Sequence, residues 1–137
     1  MAVNKLTPQT ETERMTRRIC LALDLKDNPA LIAEYERYHL AENAWPEIVD
    51  SIAGAGIAEM EIYRTGNRLF MVMEVSDDFD PQSKAAADAS NPKVAEWEAL
   101  MERFQQFLPW AEEGEKWVAM DRIYSLDEAK DHIAGRD

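Results

Sequence analysis

An α+β sandwich with the element order βα(α)ββααβ is the fold class this sequence predicts, and three observations predict it. Arg17–Leu25 alternates apolar and small side chains as a strand does. Two further apolar runs, at 57–64 and 68–75, meet at a glycine–asparagine turn. Proline-initiated helical patterns stand on either side of that pair. At 137 residues the chain is long enough for one core. The expected division is a loose N-terminal arm over 1–16, one domain over 17–126 and a polar, frayed C-terminal tail over 127–137.

In the first strand Ile19, Leu21, Leu23 and Leu25 share one face, while Cys20 and Ala22 keep the other small. Asn28 then caps a helix that Pro29 opens at a position where its missing N–H costs nothing. This helix is expected to run to about Asn43, with Ile32, Tyr35 and His39 on one stripe. Pro46 disfavours helix at Trp45, and a shorter helix through Ile48, Val49 and Ile52 ends at Gly54-Ala55-Gly56. Gly66 and Asn67 together are expected to give the hairpin turn its left-handed backbone. Asp80-Pro81 and Asn91-Pro92 repeat the cap-then-proline signal and bracket an alanine-rich segment. The second of them opens a helix expected over Lys93–Leu108, its buried stripe Val94, Trp97, Met101, Phe104 and Leu108. Trp117–Tyr124 reads as the last strand.

That order is the ferredoxin-like one, a four-stranded antiparallel sheet with helices on one face. The third strand, however, is apolar on both faces through Leu69–Met73, and the last sets Val118 and Met120 beside Ala119 and Ile123. A sheet covered on one side has a polar outer face. A homodimer whose two sheets close into a barrel is therefore expected.

The formal net charge is −12, which repels phosphate backbones and argues against a nucleic-acid partner. A small neutral ligand fits this charge better than a polyanion. No apolar run reaches the roughly 18 residues of a membrane span, so no membrane partner is expected. The first residues lack an apolar signal core, and the single Cys20 forms no internal disulfide. Both point to the cytoplasm.

The sequence holds no glycine-rich phosphate loop, no metal-spaced His/Cys cluster and no Gly-x-Ser-x-Gly. No cofactor and no metal are expected, which leaves proton transfer. His39 titrates in the right range, and Tyr35 lies one turn earlier on the same face. Two readings stand side by side: an acid–base imidazole, or a core histidine bonded to a backbone carbonyl. Trp97 is a core residue or a stacking platform for a sugar's apolar face. Trp45 reads as a structural plug, and Glu47 as a first-turn charge.

Tyr35-x-x-x-His39 with a downstream Trp45-Pro-Glu47, Gly56-x-x-x-Met60-Glu-Ile-Tyr63, Arg68-Leu-Phe-Met-Val-Met-Glu74 and Glu96-Trp97-Glu98 together resemble the L-rhamnose mutarotase family. Asn67-Arg-Leu-Phe-Met71 and Gly114-Glu-Lys-Trp-Val118 resemble its L-fucose branch in particular, and the likeness runs from about Arg18 to Leu126. It implies a dimeric α/β barrel, free of metal and cofactor, that interconverts the α and β anomers of a free 6-deoxy hexose. On this likeness His39 is the proton donor and Tyr35 a sugar contact. Trp97 falls on the first of two adjacent sugar-holding tryptophans, Glu98 replaces the second, and Met60 stands where the rhamnose branch has a contacting tyrosine. These departures leave the reaction type intact and count against rhamnose, and with the branch-specific stretches L-fucose is the expected substrate. The imidazole is expected to face a cavity between the paired sheets. Cofactor-free monooxygenases and haem-handling proteins share the dimeric barrel and are the alternative, as is a binding module without catalysis, since fold does not fix function.

Overall fold

Alternation in the first apolar run does make a strand. In the computed structural model, which describes residues 16–135, β1 spans Thr16–Leu25 and pairs antiparallel with β3 (Arg68–Ser76) from Thr16 to Asp24. The expected N-terminal arm lies outside the described residues except for Thr16. β2 (Ile57–Thr65) pairs with the far side of β3, so the sheet runs β2-β3-β1. Two short strands, β4 (Gln105–Gln106) and β5 (Val118–Ala119), share the remaining edge of β1. This is the ferredoxin-like order, with its edge strand in two pieces.

Register divides the sheet into two faces. Leu21, Met71 and Ile62 stand in one cross-strand row and Ile19, Met73 and Met60 in the next. These rows face the helices: α1 (Pro29–Tyr38), α2 (Pro46–Gly54), α3 (Pro81–Ala89) and α4 (Pro92–Glu102). The opposite face carries Cys20, Val72 and Glu61 in one row and Ala22, Phe70 and Tyr63 in another. Burial follows the alternation: along β3, Leu69, Met71, Met73 and Val75 are buried and the residues between them half-exposed.

The start signals act as their chemistry requires. Asn28 Oδ1 accepts from the backbone N–H of Ala30 (3.0 Å) and Leu31 (3.1 Å), and Asn91 Oδ1 from Lys93 (3.0 Å). Asp80 caps α3 through Gln82 N–H at 3.1 Å. At the hairpin only Gly66 is left-handed, with φ +57, and no non-glycine residue among those described has positive φ. A positive φ at the first loop position alone is the II′ pattern rather than a turn shared with Asn67. Asn67 instead ties the hairpin to β1, donating through Nδ2 to the Leu25 carbonyl at 2.9 Å.

Four expectations are corrected. α1 ends at Tyr38, and a 3₁₀ turn at Ala41–Asn43 follows it. α4 ends at Glu102, because Phe104 is drawn fully into the core and its carbonyl accepts from Lys26 N–H at 2.8 Å, which turns the chain onto the edge of β1. The last strand is only Val118–Ala119. Its register puts Ala119 beside Leu21 and Val118 beside Ala22. Residues 127–134, expected as a frayed tail, belong to α5 (Leu126–Ala134). Ser125 caps it, Asp127 and Glu128 lie in its first turn and His132 in its last.

Two apolar clusters make the core. One joins Leu25, Tyr35, Leu69, Met101 and Phe104, and the other Ile57, Met71, Met73, Val75 and Phe79. Ile62 and Trp117 pack against both.

Candidate active site

Between these clusters the helices and the sheet leave a cavity of about 380 Å³. That lies within the range of roughly 300–1,000 Å³ common to small-molecule sites. Its floor is the helix-facing side of the sheet (Leu21, Met60, Ile62, Met71 and Met73), and its walls come from α1, α2, α3 and α4. The cavity therefore lies inside one chain between sheet and helices, where a space between two paired sheets was expected. All five sequence-derived candidates, Tyr35, His39, Met60, Trp97 and Glu98, line it.

His39 owes its geometry to the helix end. The last carbonyls of a helix lack intrahelical donors. Here His39 N–H turns back to the Glu36 carbonyl (3.0 Å), and His39 Nδ1 lies 2.7 Å from the Tyr35 carbonyl. A carbonyl only accepts, so Nδ1 carries the proton and Nε2 is left with a lone pair in the neutral ring. Such side-chain bonds compete with further helix, and Asn43 Nδ2 does the same for the Arg37 carbonyl at 2.7 Å. His39 thus bonds a backbone carbonyl, as one of its two readings had it, and its ring also lines the cavity.

Two aromatic rings flank the imidazole, whose residue is otherwise exposed. The Tyr35 ring is 4.3 Å away and the Trp97 ring 5.5 Å, centroid to centroid. Trp45 meets Trp97 edge-on at 5.0 Å, so it is a wall of the site as well as the expected plug. His39 keeps part of its surface open, yet this crowding lowers its pKa below the ordinary imidazole value. The bond to the Tyr35 carbonyl works the other way. Tyr35 is almost completely buried, and burial pushes its hydroxyl up to about 12. At neutral pH the two groups therefore present an unprotonated imidazole and a protonated phenol.

Glu98 stands at the rim with half of its side chain exposed, held by Lys116 Nζ at 2.8 Å. Sequence reasoning passed over Lys84 and Asp88, an ion pair at 2.6 Å on α3 that also lines the cavity, together with Gln105 and Trp117. Lys84 and Asp88 sat in a segment singled out only for its alanines, although their spacing of four was a readable sign of a shared face. Among the described residues no three His, Cys, Asp or Glu side chains gather to hold a metal ion.

The profile of a family described as L-rhamnose mutarotase matches residues 18–126 of this chain. The L-fucose mutarotase of Xanthomonas campestris pv. campestris is 54% identical over 113 residues, covering 82% of this chain and 90% of that protein. A UPF0734 protein of Dictyostelium discoideum is 40% identical over 110 residues, 77% of this chain and 86% of that one. Among solved structures, an L-rhamnose mutarotase from Formosa agariphila superposes with a TM-score of 0.58 at 20% identity, covering 80% of this chain and 98% of that one. Tetracenomycin F2 cyclase from Streptomyces glaucescens gives 0.52 at 15%, covering 80% and 95%. At these identities the two solved structures share the fold.

Proposed function

Since the chain belongs to the L-rhamnose mutarotase family, we propose that it catalyses anomer exchange on free L-fucose, with His39 as the proton-transfer residue. The observation that carries this reading is the Nδ1–carbonyl bond of His39, which fixes the tautomer and leaves Nε2 as the basic nitrogen of a ring lining the cavity.

Opening a pyranose requires removal of the anomeric hydroxyl proton, donation to the ring oxygen and cleavage of the bond between C1 and that oxygen. His39 Nε2 takes the O1 proton while the Tyr35 hydroxyl gives its proton to the ring oxygen as the bond to C1 breaks, and the phenolate takes that proton back when the ring recloses. The open aldehyde turns about C1–C2 and the ring oxygen attacks the other face, while the imidazolium returns its proton to O1. His39 is thus acceptor on opening and donor on closure, so the donor role implied by the family is one half of a reversible cycle. Positioned acid–base catalysis of this kind contributes roughly 10²- to 10⁴-fold. Trp97 offers an aromatic face to the C–H side of the sugar, and Met60 a soft apolar floor. Glu98, already held by Lys116 and half in solvent, receives a hydroxyl at the rim.

Homodimerisation belongs to the same reading. Val72, Phe70 and Tyr63 sit on the sheet face opposite the cavity, with Tyr63 more than half exposed. A second copy is the partner that covers this face. The single cysteine fits a cytoplasmic setting, and among the described residues no helix is long and apolar enough to cross a membrane.

NMR magnetisation transfer between the anomers of L-fucose, L-rhamnose and D-galactose, with and without protein, tests the activity. L-Fucose exchange is expected to accelerate most. Rates equal to buffer for all three sugars would remove the proposal.

A further inference from the structure

One side-chain atom of a cavity-lining residue accepts no hydrogen bond. Gln105 Oε1 is buried and accepts no hydrogen bond, and among the described residues it is the one fully buried side-chain oxygen or nitrogen in that position. Leaving such an atom unpaired costs free energy, so native structures complete it. Register explains why it faces inward. Gln105 pairs with Leu25, whose side chain belongs to the core, and Gln106 pairs with Asp24 on the opposite face. An amide at a core-facing strand position is the informative exception to apolar interiors.

Its surroundings identify what completes it. Gln105 lines the same cavity as Tyr35 and His39. Its side chain lies beside the Tyr35 hydroxyl, where it opposes the effect of burial on that group. We propose that Gln105 is a substrate-binding residue whose side-chain carbonyl accepts a hydrogen bond from a ring hydroxyl of the sugar other than O1. The chemistry it recognises is a neutral hydroxyl donor next to the reacting centre, on the side of the ring that faces β4. This inference rests on the sugar reading above and adds a contact that no candidate motif supplied.

The test uses the full chain as wild type, Gln105→Met and Gln105→Glu, with L-fucose and its 2-, 3- and 4-deoxy analogues. Anomer exchange is followed by NMR, and sugar affinity separately by the fluorescence of the cavity tryptophans. Gln105→Met fills the same space without the unpaired amide, so its denaturation midpoint should stay level or rise. Its kcat/KM and affinity for L-fucose should fall roughly three- to tenfold, the loss of one neutral hydrogen bond. For one deoxy analogue the wild type should already show this loss, and the substitution should add nothing further. Gln105→Glu, which keeps an acceptor, should retain more affinity than Gln105→Met. Unchanged affinity in Gln105→Met, or an equal added loss with all three analogues, overturns the proposal. A wild type that binds the sugar but does not speed exchange would sink the mutarotase reading and leave the binding result to decide Gln105.

Discussion

At His39 a backbone need and the proposed chemical use coincide. The Tyr35 carbonyl lacks a helical donor, the ring supplies one, and the nitrogen not used for this is the one free for chemistry. His39→Gln should lower the anomer-exchange rate by roughly 10²- to 10⁴-fold, with circular dichroism unchanged. Burial sets the folded pKa of this imidazole below its unfolded value. Its contribution to stability is therefore present above the ordinary histidine range and lost as pH falls through the folded pKa. As the base on opening it is already neutral at pH 7, so exchange should be flat from about pH 7 to 8 and decline on the acid side, with a midpoint below about 6.5. A midpoint above that value would contradict the assignment. Tyr35 has the opposite sign. Its folded pKa of about 12 exceeds the ordinary 10.0, so its contribution is complete below about pH 10 and is lost as pH rises toward 12. Urea midpoints of wild type and Tyr35→Phe should therefore converge as pH rises from about 10 to about 12. Tyr35, His39, Met60, Trp97 and Glu98 were legible in the sequence because a family pattern pointed at them. Gln105 was not: it sat inside an expected helix, where a glutamine draws no notice.

Caps and glycines decide the elements. Helix starts were readable because Asn28, Asp80 and Asn91 each stand before a proline, a local signal with a local cause. The end of α2 was readable at Gly54-Ala55-Gly56, but those of α1 and α4 were not, because nothing near Tyr38 or Glu102 breaks a helix. The first stops for a local reason, His39 bonding the carbonyl four residues back, and the second for a tertiary one, Phe104 entering the core. Asn28→Ala should cost about 1 kcal/mol in a denaturant titration, since two backbone N–H groups lose their acceptor. Gly56 is a stricter case. Its φ is +94, and a Cβ there would stand 2.8 Å from Ser76 Oγ, which is itself bonded to Asp78 at 2.7 Å. Gly56→Ala combines left-handed backbone with that collision and should lose about 1–3 kcal/mol by the same measurement. A loss no larger than that of an exposed loop substitution would show that the β2 entry relaxes freely.

For the whole molecule, the two sides of the sheet have separate tasks. Every residue assigned to the site lines a cavity on the helix side, and the apolar strip of Val72, Phe70 and Tyr63 is on the other. Light scattering should give twice the 15.7 kDa chain mass. Val72→Glu should halve that mass yet keep exchange within a few-fold of wild type, because the cavity is complete in one chain. A monomeric wild type would remove the dimer, and an inactive but folded Val72→Glu would show that the partner contributes to the site. The two-sided apolar pattern was visible in the sequence, but which side holds the cavity was not, since that depends on how far the helices stand from the sheet. The divided edge of β1 has one more consequence. Residues 107–117 leave the sheet after Gln106 and rejoin it at Val118 on the same border, carrying Trp110 over Arg68 at 5.2 Å and bringing Lys116 and Trp117 back to the rim. Doubling such an excursion costs only about 0.6 kcal/mol in closure entropy. Relatives can therefore lengthen or shorten this detour at little entropic cost while the border it leaves and rejoins keeps its pairing.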